Sequence, residues 1–87
     1  MLVIGRILRE GRTAQGLDLG DIARRTCISP RYLKAMEEGR FSIIPKVFDK
    51  GYLKIYAKFL NIDVKSILEQ YEQQLNEHPA DLVNQPH

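Results

Sequence analysis

Residues 18–39, DLGDIARRTCISPRYLKAMEEG, decide the fold of this 87-residue chain. Asp18 stands where a helix N-cap belongs, just ahead of Leu19, Ile22 and Ala23, which recur with helical spacing. After the turn TCIS, Ser29 is placed to cap a second helix. Pro30 takes that helix's first position, where a missing N–H costs nothing. Leu33 and Met36 face inward with help from Tyr32, and Gly39 stops the run. A helix, a four-residue turn and a second short helix within about twenty residues make the helix-turn-helix unit.

Working outward toward the N-terminus, the spacing predicts a first helix over residues 3–15. Ile4, Ile7 and Leu8 lie on its inner face, Arg6, Arg9 and Arg12 face out, and Gly16 ends it. On the other side, residues 40–44 form a connector in which Phe41 and Ile44 plug the core. Pro45 opens a long fourth helix over residues 45–60. Gly51 inside it costs about 1 kcal/mol relative to Ala, which predicts a close approach by another backbone at that point. Asp63 caps a fifth helix over 63–75, with Val64, Ile67, Leu68, Tyr71 and Leu75 along one face. The expected fold is all-α, a five-helix Cro/repressor-like helix-turn-helix domain over residues 1–75. Residues 76–87 hold two prolines and no periodicity, and read as a flexible tail or linker.

A chain of this length is one domain near the lower size limit for a core without staples. Its single cysteine, Cys27, cannot close an internal disulfide and reads as a small buried apolar side chain in a reduced, cytoplasmic setting. No apolar run reaches the length of a membrane span and no leader pattern opens the chain. The net charge of +2 hides an asymmetry: residues 1–65 carry +6 and residues 66–87 carry −4. A basic body suits an acidic partner such as nucleic acid, an anionic membrane surface or an acidic protein face.

Little in the sequence serves catalysis. The histidines, His78 and His87, both lie in the tail, and Ser29, Ser42 and Ser66 have no base placed to activate them. One cysteine and two tail histidines do not make a metal site, and no Gly-rich phosphate loop precedes a helix. We therefore expect no enzyme, no cofactor and no metal.

Two surfaces remain. On the recognition helix, Ser29, Arg31, Tyr32 and Lys34 are the side chains positioned for a DNA major groove. Glu37 and Glu38 are expected on the same face, where they would repel phosphates; a bland alternative pairs Lys34 with Glu38 as a solvated surface. The fourth helix carries apolar residues over about twice the width that packing on one core requires. Val47, Phe48, Tyr52, Ile55, Tyr56, Phe59 and Leu60 contribute, beside a ladder of Lys46, Lys50, Lys54 and Lys58. Aromatics with a polar tip are frequent anchors of protein interfaces.

The residues also carry a resemblance. From Gly5 to Asp63 the pattern runs G-x-x-L-R-x-x-R-x-x-x-G, then D-I-A-R-R-T-x-I-x-x-x-Y-L-x-A-x-E-x-G-x-F, then P-x-x-F-x-K-G-Y-L-x-x-Y-A-x-F-L-x-I-D. It resembles the N-terminal cytoplasmic domain of the RodZ family of bacterial cell-shape proteins. The last block separates it from ordinary Cro/repressor domains. Gly11 departs from the alanine the family favours. The resemblance implies an adaptor that binds the actin-like filament protein MreB through the fourth helix. The matching positions are Phe48 and Tyr52, and Tyr56 one turn further on continues the series i, i+4, i+8 as a third contact residue. From the helix itself, Lys46 and Lys50 would support these contacts, and DNA binding stands as the alternative. It also implies a cytoplasmic domain joined to an inner membrane by a single span that these residues do not contain.

Overall fold

The computed structural model describes residues 2–76. Five α-helices follow one another: α1 (Leu2–Ala14), α2 (Leu19–Thr26), α3 (Pro30–Glu37), α4 (Asp49–Phe59) and α5 (Val64–Asn76). A short 3-10 turn (Phe41–Ile43) lies between α3 and α4. The all-α helix-turn-helix architecture is therefore as expected. The tail from residue 77 onward, with both histidines, lies outside the described residues.

Local chemistry sets the helix ends. The Asp18 carboxylate accepts from the Gly20 amide at 3.2 Å, and the Ser29 hydroxyl accepts from the Arg31 amide at 3.2 Å, each satisfying an orphan donor of its helix. Pro30 is the first residue of α3, and Gly16 and Gly39 take φ of 66° and 75° where the chain leaves α1 and α3. Cys27 also lies in the left-handed region, at φ 62°, capping α2 through its amide. Its side chain is exposed, which corrects the buried reading: the helix-turn-helix turn needs the left-handed backbone there and points the thiol outward.

The core is a single cluster in which Ile4 and Leu8 of α1, Ile22 of α2, Leu33 and Met36 of α3, Leu53 and Tyr56 of α4, and Ile67 and Tyr71 of α5 meet. Phe41 and Ile44 plug it from the connector, and Phe41 packs on Tyr71 with ring centroids 4.8 Å apart. The tightest backbone approach is at Gly5. A Cβ there would overlap the Glu37 carbonyl and lie 3.0 Å from the Met36 carbonyl oxygen, so glycine lets α1 lie against the end of α3. Gly51, by contrast, has nothing within 4 Å of a Cβ position and is exposed, so the close approach expected there does not exist. Gly11 faces Ile62, whose Cδ1 would lie 3.1 Å from an added Cβ. The departure from alanine makes room for that side chain.

Two charged residues expected outside meet at the edge of the core, Glu37 buried and Arg12 half-buried. The Arg12 guanidinium donates to the Glu37 carboxylate through Nε at 2.7 Å and Nη2 at 3.1 Å, and through Nη1 to the Leu17 carbonyl at 3.1 Å. The Tyr56 hydroxyl donates to the same carboxylate. This network ties α1, α3 and α4 together in the manner of a buried, bidentate ion pair.

Candidate functional site

The fourth helix begins at Asp49, four residues later than Pro45 promised. Pro45 instead opens a turn closed by the Phe48 amide donating to its carbonyl at 2.8 Å, and the Phe48 carbonyl then accepts from the Tyr52 amide to start α4. The consequence is positional. Lys46 and Val47 sit in the turn, outside the helical ridge, and Val47 is 84% exposed. Phe48, at the N-cap of α4, is 48% exposed.

Phe48 does not stand alone. Its ring stacks on Tyr52 at a centroid distance of 5.4 Å and an interplanar angle of 9°, and Tyr52 in turn meets Tyr32 at 5.9 Å and 35°. Tyr32 and Tyr52 are half-buried against the edge of the core. A strip of three rings thus runs from the core edge to solvent, beside the exposed side chains Val47 and Ile55. The stacked Phe48–Tyr52 pair and its tilted neighbour Tyr32 leave an apolar surface exposed on the outer side.

The side chains named from sequence divide cleanly. Phe48 and Tyr52 are brought together. Tyr56 is not part of the site: it is fully buried between Leu53 and Ala57, and its hydroxyl serves Glu37. Burial, with the hydrogen bond to that carboxylate, pushes the Tyr56 phenol well above its ordinary pKa. Lys46 is exposed in the turn, whereas the Lys50 ammonium reaches the Glu72 carboxylate of α5 at 3.1 Å. Tyr71 makes the other tie between these helices. Its hydroxyl donates to Asp49 at 2.6 Å, and burial first, then that carboxylate, raise its pKa. Asp49 is thereby held at the start of α4, next to Phe48.

The DNA-facing candidates are arranged differently from expectation. Arg31 and Lys34 are exposed, but the Ser29 hydroxyl is occupied as a cap and Tyr32 belongs to the aromatic strip. Glu37 faces the core. Glu38 pairs with Arg40 at 3.7 Å instead of Lys34, because it caps the end of α3, where the chain has already turned.

Val47 and Ile55 are not among the contact residues expected from the sequence. The signal was present in the surplus apolar width of the fourth helix. The recruitment of Tyr32 had no local signal, since it depends on α3 and α4 meeting.

A family model described as a helix-turn-helix domain matches residues 7–67. Among curated proteins, the cytoskeleton protein RodZ of Streptococcus pneumoniae is 36% identical over 70 residues, covering 79% of this chain and 25% of that protein. The uncharacterized membrane protein YmfM of Bacillus subtilis is 35% identical over 72 residues, covering 82% of this chain and 23% of its own length. An uncharacterized protein of Haemophilus influenzae is 38% identical over 60 residues, 67% of this chain and 20% of the relative. The chain thus spans about a quarter or less of the relatives it matches. No solved structure gives a significant match. Among the described residues no helix is long and apolar enough to cross a membrane. With the caps, the turn and the two short helices in place, and with the family model spanning residues 7–67, the chain belongs to the helix-turn-helix domain family and is homologous to part of RodZ.

Proposed function

We propose that this domain is a non-catalytic adaptor that binds the actin-like filament protein MreB through the aromatic strip at the start of α4. The carrying observation is Phe48, held half exposed by stacking on Tyr52, with exposed Val47 and Ile55 alongside. Clustered aromatics of this kind supply most of the energy in protein interfaces, each costing about 2 kcal/mol or more when truncated. Lys46 adds an exposed positive charge at the rim, without an ion-pair partner among the described residues, and suits an acidic partner surface. Lys50 contributes less, since Glu72 already accepts from it. In the whole protein the domain would be cytoplasmic, joined to an inner membrane by a single span.

Co-sedimentation with polymerised MreB tests the proposal. Phe48→Ala combined with Tyr52→Ala should weaken binding by about thirtyfold or more while the circular dichroism spectrum is kept. Unchanged affinity in a folded double variant would remove the proposal.

A second reading, DNA binding through Arg31 and Lys34, gains from the inward turn of Glu37, which takes one repulsive charge off that face. A salt titration separates a specific from a merely electrostatic complex. Binding confined to low salt, without preference among duplexes, leaves only contacts to phosphates.

A further inference from the structure

The first turn of α1 carries two exposed aliphatic side chains, Leu2 at 76% and Val3 at 47%. The core draws instead on Ile4, Gly5 and Leu8 of that helix. Arg6 follows about one turn later, exposed and without an ion-pair partner among the described residues. Arg9 lies three residues beyond, exposed, 3.8 Å from the Glu37 carboxylate. These four side chains line one groove with Glu37 and Glu38. Both glutamates are already compensated, Glu37 by Arg12 and Glu38 by Arg40.

Whatever covers this tip has to satisfy two chemistries in order. At 1.5 Å per residue, Arg6 lies about 5–6 Å behind Leu2 and Val3 along the helix, and Arg9 about 9–10 Å behind. An isolated anion would leave the aliphatic side chains in water, and an apolar partner would leave Arg6 without a counter-charge. A bilayer with acidic headgroups offers both layers at this depth, because apolar side chains enter the acyl boundary by about 5–10 Å while phosphates lie above it. We infer that the N-terminal tip of α1 docks on an anionic phospholipid surface, with Leu2 and Val3 inserted and Arg6 and Arg9 on headgroup phosphates. The aromatic strip stays free in this pose. Tyr32 lies in the first turn of α3, whereas Glu37 and Glu38 lie at its other end, about 8–9 Å along the axis. The inference does not depend on the filament reading.

The test is sedimentation of the 87-residue chain with vesicles of phosphatidylglycerol and phosphatidylcholine in equal parts, against pure phosphatidylcholine, at about 20 mM salt to limit screening. The chain should bind the anionic vesicles in preference. Each arginine is worth about fivefold, so Arg6→Gln with Arg9→Gln should lower partitioning by more than about tenfold. Leu2→Ser with Val3→Ser should lower it by about tenfold or more, and Phe48→Ala by less than about twofold. The circular dichroism spectrum checks that each variant is folded, which the exposure of these side chains favours. Equal binding to both vesicle types, or none to either, overturns the inference. So does anionic binding that survives Leu2→Ser with Val3→Ser, or that is lost with Phe48→Ala in their place.

Discussion

Replacing Arg12 by Met takes away the cation that faces Glu37 but keeps most of the apolar stem of the side chain. The Glu37 side chain is 3% exposed and would be left with the Tyr56 hydroxyl and the exposed Arg9 guanidinium, 3.8 Å away. Removing one partner of a buried ion pair costs about 3–5 kcal/mol when the other charge stays buried and unpaired, and Arg9, solvent-screened and beyond hydrogen-bond distance, puts the cost at the lower end. A domain of this size has about 4–11 kcal/mol of stability in all, at about 0.05–0.15 kcal/mol per residue. Arg12→Met should therefore consume about a quarter or more of it and lower the melting temperature by about 12 °C or more. Replacing the whole network, Arg12→Met with Glu37→Leu and Tyr56→Phe, should recover most of the loss, since no charge or hydroxyl then remains unsatisfied. Urea unfolding followed by far-UV circular dichroism measures both variants, and an unchanged m-value keeps the comparison valid. If Arg12→Met costs less than about 1 kcal/mol, or if the triple variant is as unstable as the single one, the network does not tie α1, α3 and α4 together as argued.

Other outcomes follow from the same geometry. Gly5→Ala should destabilise by about 1–3 kcal/mol or more, because its methyl meets backbone that cannot give way, whereas Gly51→Ala, with open space around it, should stabilise by about 0.5–1 kcal/mol; urea midpoints decide both. Tyr56 and Tyr71 have folded-state pKa values above the unfolded value of about 10, so they keep their protons in the native state when the unfolded chain has lost them. Stability is then fully present below about pH 10 and falls above it by about 1.4 kcal/mol per pH unit for each phenol. Tyr71→Phe should flatten that fall, as read from urea midpoints between about pH 9 and 11.

The fold was legible because its punctuation is local. Asp18, Gly16, Ser29 with Pro30, and Gly39 each act on backbone within a few residues, so their roles could be read without the tertiary structure. Phe41 and Ile44 followed from the scarcity of large apolar side chains available to a small core. The buried network was missed because charged residues were assigned to the outside by type. Its signal was nonetheless present: Arg12 is four residues after Leu8, and Glu37 four after Leu33, so opposite charges sat on the apolar faces of two helices. Tyr56 was assigned outward by counting from Phe48 in steps of four, although Leu53, Ala57 and Leu60 mark its side of the helix as the inner one. Pro45 suits the first position of a helix and of a turn equally, and the choice depends on how Ile44 enters the core. That turn is what frees Phe48 from the helix and places it at the edge of the strip. Gly51 was read as a packing glycine on propensity alone, while the glycine that does permit close approach, Gly5, sits beside Ile4 on the inner face of α1.

Amide NMR of the isotope-labelled domain titrated with MreB bears most directly on the adaptor role, since it maps the contact without altering it. Perturbations should gather on residues 47–55 and on Tyr32, with the exposed amides of α2 unmoved. Perturbations centred on Arg24, Arg25, Arg31 and Lys34 with Phe48 unchanged, or none at all, would contradict it.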